Sequence, residues 1–332
     1  MSEYSNKSVF ITGANGGMGV EVCRYLVEDG FGHITMACRT EGKATAAMAE
    51  VRKTTNGSAT DVTTAAGFDM TDPAAIEAAV DALPADRPFD VVFLQAGGVV
   101  YGKDWKSVTW NGVSVERTVF QNVVGAHVTL SRLMHRGLVK PGARVVIAGG
   151  EGARGIPGLI GKPEFASADD FVNYALVADP SRPYVDMDAM GVSKFAGALW
   201  SQKVAQLLED QMDVVWFTPG FTAGTKGLKG VGAFKQWMFE NIGFPVMVAL
   251  GKAQSAKQGA RKFADSLEGK VGKNGDVIGA PEGTALGAYT DQKPMNPGLT
   301  DPAIRDAFWN ILEEVTGPFP TASSHVQSVH SA

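Results

Sequence analysis

Three glycines near the start of the chain, Gly13, Gly17 and Gly19, follow directly on the apolar run Val9-Phe10-Ile11. That order reads as a buried strand, a tight turn and a helix start. Glycines there let the backbone approach a pyrophosphate at the helix N-terminus, where free N–H groups and the helix dipole favour anions. The same turn carries Asn15 and Met18. After the second strand, NAD-selective sites place a carboxylate on the ribose 2′-OH. Here Arg39 follows Ala37-Cys38 instead. A guanidinium grips a 2′-phosphate with paired bonds, and Lys43, about one helical turn on, adds charge. The chemistry predicted from these residues is binding of NADP(H) rather than NAD(H). Nothing points to a metal. Cys23 and Cys38 have no ligand spacing and read as buried apolar residues, and His33, His127 and His135 as structural or solvated.

The elements that must position these groups alternate. After the first strand and the helical run Val20–Leu26, strands are predicted at Ile34–Cys38, up to Phe68-Asp69-Met70, at Val91–Leu94, Arg144–Ala148 and Val214–Phe217. Helices are predicted at Glu41–Val51, Ala74–Leu83, Val115–Met134 and Val192–Leu208. Alternation at this spacing predicts a single α/β doubly wound parallel sheet of Rossmann type, covered by helices on both faces, with ligands beyond the carboxyl ends of the strands. One domain is expected over residues 1–319, with an insert at 152–189, an apolar helical lid at 222–252, and a flexible tail at 320–332. The lid is expected to lie over the cleft. The 332 residues are 45% hydrophobic and carry a net charge of −5. This composition gives no basic footprint for nucleic acid, and no apolar run approaches a membrane span. With no signal segment at the N-terminus, a cytoplasmic protein is expected. A homo-oligomer is left open.

The glycine turn, Asp69, Gln95-Ala96-Gly97, Asn122, Lys194 and Pro219-Gly220 occur in the order found in short-chain dehydrogenases/reductases. The chain resembles that superfamily from about Ser8 to Gly317. Within it, the chain is most similar to the branch of light-dependent protochlorophyllide oxidoreductases and retinol dehydrogenases. Met36-Ala37-Cys38-Arg39, the insert before Ser193-Lys194, Thr225 after Pro219-Gly220 and a closing helix around Trp309–Glu314 support that choice. The resemblance implies that Asp69 and Met70 flank the adenine and that Gln95-Ala96-Gly97 lines the cofactor, with Gln95 where Asn is usual. It also implies that Pro219, Gly220 and Thr225 contact the cofactor. Asn122 would hold a helix bend, and Lys194 would bond the nicotinamide ribose and lower the pKa of a tyrosine four residues earlier. That position is Met190, and a thioether does not exchange a proton at neutral pH. The usual serine, just past Val145-Val146-Ile147, is replaced by Ala148-Gly149-Gly150-Glu151.

The expected function is therefore an NADP(H)-dependent reductase of a bulky, largely apolar carbonyl or activated C=C substrate, with a non-standard proton donor. Tyr184 is the first choice for that donor, ahead of Tyr174, Glu151, Asp186 and Asp188. The alternatives are a non-catalytic NADP(H)-binding protein with an eroded site, and a non-redox lyase or isomerase on the same fold.

Overall fold

The computed structural model describes residues 2–321 apart from 56, 224–242, 283 and 285–286. Ser8–Thr12 (β1) is buried at every position and lies parallel to His33–Ala37 (β2) on one side and Phe89–Leu94 (β4) on the other. Asp61–Ala65 (β3) extends the sheet beyond β2. Val139–Ala148 (β7), Met212–Phe217 (β8), Val277–Gly279 (β9) and the two-residue antiparallel edge Thr290–Asp291 (β10) extend it the other way. The order β10-β9-β8-β7-β4-β1-β2-β3 reverses between β1 and β4, where a nucleotide crevice forms in such sheets. Apolar runs such as Val9–Ile11, Val91–Leu94, Val145–Ile147 and Val214–Phe217 make the central strands β1, β4, β7 and β8, whose faces are both covered.

Gly17–Glu28 (α1) and Glu41–Thr54 (α2) pack together on one face, while Pro73–Asp81 (α3) packs on the other face against the helix that begins at Arg117. That helix runs as Arg117–Val119 (α4), a π-helical turn at Phe120–Val124, and Gly125–His135 (α5). Asp186–Leu207 (α7) carries the longest buried stripe, including Phe195, Leu199 and Trp200. Ala256–Leu267 opens with a Ser255/Gln258 capping box. Pro302–Thr316 opens with Asp301 accepting from the Ala303 amide at 2.8 Å and closes the α7 side of the core. No helix among the described residues is long and apolar enough to cross a membrane.

Several expectations shift. The third strand lies at β3, so Phe68–Met70 belongs to the loop after it. Val115 is not helical: Ser107–Trp110 (β5) and Val113–Glu116 (β6) form a hairpin, turning through Asn111 (φ 48°) and Gly112 (φ 83°). Two residues of positive φ there give the primed turn that Asn-Gly favours. The insert is partly ordered around Ala168–Ala175 (α6), whose Phe171 is fully buried against Phe195 and Phe308. Of the expected lid, residues 224–242 lie outside the described residues, and Phe244–Ala249 (α8) is helical. The expected tail is described only as far as Thr321.

Candidate active site

A cleft of about 540 Å³ opens beyond the carboxyl ends of β1, β2, β4, β7 and β8. At its head, Gly13 adopts φ +67°, and a Cβ there would lie 3.0 Å from the Ala96 Cα. Gly16, Gly17 and Met18 line the cleft at the N-terminus of α1, which no side chain caps. Gly19 sits one step deeper and does not line the cleft. Its role is close approach, since a Cβ would fall 2.6 Å from the Gly13 carbonyl oxygen. Thr12 Oγ1 accepts from the Gln95 and Ala96 amides at 3.0 and 3.1 Å, and Gln95 Nε2 donates to the Gly13 carbonyl at 3.1 Å. Gln95 thus ties the β4 end to the glycine turn. Its Oε1 is buried and has no partner among the described residues. The close-packed glycines and uncapped N–H groups fit a pyrophosphate, and the orphaned amide oxygen fits a polar ligand in this crevice.

Asn15, Arg39, Lys43, Asp69 and Met70 line the outer end. Arg39 is 57% exposed and 3.9 Å from Asp69, which leaves its guanidinium available to an anion. Asp69 is fixed by accepting from the Thr71 amide and hydroxyl at 3.1 and 2.9 Å.

The inner end is built by the π-helical turn, the β7 end, α7 and the β8 end. Asn122 Nδ2 donates to the carbonyls of Thr118 and Gly98, both at 2.8 Å, and its Oδ1 accepts from the Gly98 amide. The extra residue of the π turn is thereby bridged, and Gly97 and Gly98 are held at the cleft wall. Met190 and Lys194 lie one turn apart on α7, and both line the cleft. Lys194 Nζ donates to the Ala148 carbonyl at 2.9 Å. Burial pulls its pKa down to about 8, against the opposing field of Glu151. Glu151, 9% exposed, also lines the cleft and accepts from Thr218 Oγ1 at 2.9 Å. Pro219 and Gly220 follow Thr218 along the floor, with Phe221 and Phe263 as apolar lining. Thr225 lies outside the described residues.

Past the end of β7 there is little room for a side chain at positions 149 and 150. A Cβ on Gly149 would fall 2.7 Å from the indole ring of Trp216, and one on Gly150 would meet the Lys194 stem at 3.3 Å. Tyr184, expected as the relocated acid, does not line the cleft. Its hydroxyl is 3.1 Å from Thr118 Oγ1 and donates to the Val100 carbonyl at 3.1 Å. Burial pushes it up to about 12. Its ring packs edge-on against Trp105, as does that of Tyr174, whose pKa burial also raises. Asp188 accepts from the Gly161 amide at 2.8 Å and, like Asp186, lies outside the cleft lining. Among the residues that the sequence alone does not single out are Thr218, Phe221 and Phe263, which line the cleft, and Trp216 beside Gly149. Thr218 was signalled only by its place before Pro219-Gly220, and Trp216 by a large ring at the end of a buried strand. The free Cys23 and Cys38 are buried, and no cluster among the described residues could hold a metal ion.

Residues 7–160 match the family model for short chain dehydrogenases. The sequence is 25% identical over 342 residues to the protochlorophyllide reductase of Avena sativa, covering 93% of this chain and 99% of that protein. It is also 25% identical to protochlorophyllide reductase A of Triticum aestivum, over 93% of this chain and 80% of that one. A short-chain type dehydrogenase/reductase from Mycobacterium ulcerans superposes with a TM-score of 0.57 at 21% identity, over 93% of this chain and 99% of its own. The L-sorbose reductase of Gluconobacter frateurii, solved with NADPH and L-sorbose, has a TM-score of 0.57 at 16% identity, over 86% and 98% of the two chains. Likeness at these structural identities concerns the fold.

Proposed function

From the chain's membership of the short-chain dehydrogenase/reductase superfamily, we propose that it is an NADP(H)-dependent reductase of a bulky, largely apolar carbonyl or activated C=C substrate. The observation that carries this reading is one continuous cleft. It joins an uncapped glycine-turn helix, an exposed Arg39 and a buried Lys194 in the order a dinucleotide requires. Gly13, Gly17 and Met18 would hold the pyrophosphate, Arg39 and Lys43 the 2′-phosphate, and Asp69 and Met70 the adenine. Gln95, Ala96, Gly97, Pro219 and Gly220 would line the remainder, with Lys194 on the nicotinamide ribose. The bound cofactor supplies a hydride at its nicotinamide carbon. Met190, Phe221 and Phe263 favour an apolar substrate, because their side chains exclude water and offer no hydrogen bonds. The exposed Val246, Val248 and Leu250 on and after α8 are consistent with an apolar partner surface nearby in sequence.

The test is titration of NADPH and NADH by fluorescence, followed by NADPH oxidation on a panel of aryl ketones and enones. Preferential NADPH binding with turnover is expected. Equal affinity for the two cofactors would remove the 2′-phosphate assignment. Trp216 in the space of a side chain at position 149 favours a second reading, a dinucleotide-binding protein without turnover. Tight NADPH binding with no oxidation on any substrate would establish that one.

A further inference from the structure

We propose that Lys194 is itself the proton donor of this site, and that Glu151 is the positioning residue that keeps its ammonium protonated inside the protein. This rests on the reductase reading above and names the group that replaces the absent phenol. Among the described residues lining the cleft, the titratable side chains are Arg39, Lys43, Asp69, Glu151 and Lys194. The first three stand at the outer end, so among the described residues the candidates for an acid at the inner end are Lys194 and Glu151.

Geometry separates the two. Lys194 Nζ spends one N–H on the Ala148 carbonyl, and its other two have no partner among the described residues. One suffices for a ribose hydroxyl, and one is left for substrate. No phenol intervenes, because Met190 occupies the preceding turn. Glu151 already accepts the Thr218 hydroxyl, and the cations whose fields reach it are Lys194 from α7 and Lys262 from Ala256–Leu267. Its Oε1 is thus already engaged, whereas Lys194 keeps two N–H groups for ligands. Lys262 in turn donates to the Pro219 carbonyl at 2.9 Å. The Ala148 carbonyl from β7, which Lys194 bonds, is uncharged, and Asn122 from the π turn lines the same cleft.

A buried ammonium loses hydration and tends to shed its proton, and a nearby carboxylate opposes that loss. The balance leaves Lys194 at about 8, close to working pH, where a general acid is most effective. In the reaction the hydride, with its electron pair, comes from the reduced nicotinamide and forms the new C–H bond. One N–H bond of the Lys194 ammonium breaks, its pair stays on nitrogen, and the proton neutralises the developing anion. The substrate is reduced by two electrons and the nicotinamide oxidised by two. Water returns the proton to the amine.

The experiment uses the full chain, with the lysine titrated directly by competitive acetylation and peptide mass spectrometry in wild type and Glu151→Gln. The Lys194 midpoint should lie near pH 8 in wild type and about one pH unit lower in Glu151→Gln. A midpoint unmoved by Glu151→Gln would overturn the Glu151 role, and a wild-type midpoint near 10 would overturn the claim that burial poises Lys194 as an acid. In turnover, kcat should fall above about pH 8, with the fall moved lower in Glu151→Gln. Lys194→Arg keeps the charge but holds its proton, so it should lower kcat by about 100-fold or more while NADPH affinity changes by less than about 3-fold. Turnover by Lys194→Arg within a few-fold of wild type would overturn the donor role. Wild type that binds NADPH without oxidising it would defeat the reductase reading and the donor with it. Absence of binding of both NADPH and NADH would defeat the cofactor assignment and the donor role with it, while the effect of Glu151 on the Lys194 midpoint, read by acetylation, stands or falls by itself.

Discussion

The two ends of the cleft are made differently. The outer end, from the glycine turn to Arg39, is built from backbone: a positive-φ glycine, an uncapped helix and the Thr12 and Gln95 bonds that clamp two strand ends. The inner end is built from side chains, and there Met190, Gly149, Gly150 and Glu151 stand where the resemblance leads one to expect proton-transfer groups, with Trp216 packed against Gly149. The difference has a physical source. A backbone cradle tolerates no added atoms, so its sequence is constrained glycine by glycine. A proton can be delivered by any group of suitable pKa within reach, so that end has many chemical solutions.

Breaking the outer end should give the largest effect. In Gly19→Val the new side chain begins 2.6 Å from the Gly13 carbonyl oxygen and 2.7 Å from Gln95 Nε2. Both are fixed, so the turn must open. NADPH affinity should fall by about 100-fold or more, since even a misfit of ~3 kcal/mol has that consequence. Fluorescence titration checks this, with melting temperature as the control for folding. Retained affinity would mean that the turn does not carry the pyrophosphate.

Arg39→Ala should come next, and it acts selectively. A charge-assisted bond to a phosphate is worth about 1.5–3 kcal/mol, so NADPH affinity should drop by about 10- to 100-fold while NADH affinity is nearly unchanged. At 57% exposure the guanidinium is partly screened, which puts the expectation at the lower end of that range. An equal loss for both cofactors would assign Arg39 to general attraction instead of the 2′-phosphate.

What the sequence made legible follows the same division. The parallel sheet could be read because buried strands such as Val9–Ile11 and Val145–Ile147 are apolar on both faces and alternate with helices. Residues from Gly13 to Gly97 and from Asn122 to Gly220 could be assigned to one crevice because strand ends converge there. The β5–β6 hairpin carries a local turn signal in Asn111-Gly112, but its second strand runs into a stretch, Val115 to Met134, that also suits a helix. Nothing local announces a π turn: the register of Phe120–Val124 is set by Asn122 reaching back to Thr118 and across to Gly98. Tyr184 is near α7 in sequence, but its phenol is engaged by Thr118 and the Val100 carbonyl and does not line the cleft. Side-chain direction in a long insert depends on tertiary contacts that composition does not encode.

At the inner end, Gly149→Ser asks whether the hydroxyl can simply be put back. Its Cβ would lie 2.7 Å from the Trp216 ring, a fully buried side chain against the wall of β7. Displacing that ring is overpacking, and the variant should lose about 1–3 kcal/mol in urea unfolding. Gly149→Ser combined with Trp216→Ala should recover part of the loss, because the serine then occupies vacated volume and the pair is coupled. A single variant as stable as wild type would show that Trp216 moves aside easily, and would weaken the contrast between the two ends.

Met190→Tyr should have the smallest effect. The position is one helical turn before Lys194 and already lines the cleft, so a phenol there is not buried afresh. In a site with a second hydroxyl donor, such a phenol would give its proton to a carbonyl oxygen oriented by that donor. Here Gly149 and Gly150 supply no side chain, and the Lys194 N–H that would lower the phenol's pKa is the one proposed to serve the substrate directly. The two acids would compete for one place, and turnover should stay within about 3-fold of wild type, far short of the 100-fold that a well-placed acid contributes. NADPH oxidation by the two proteins on the same aryl ketones and enones gives the comparison. A gain of 10-fold or more would mean that one substitution restores the superfamily's mechanism, and the inner end would then differ from the outer by a single residue rather than by design.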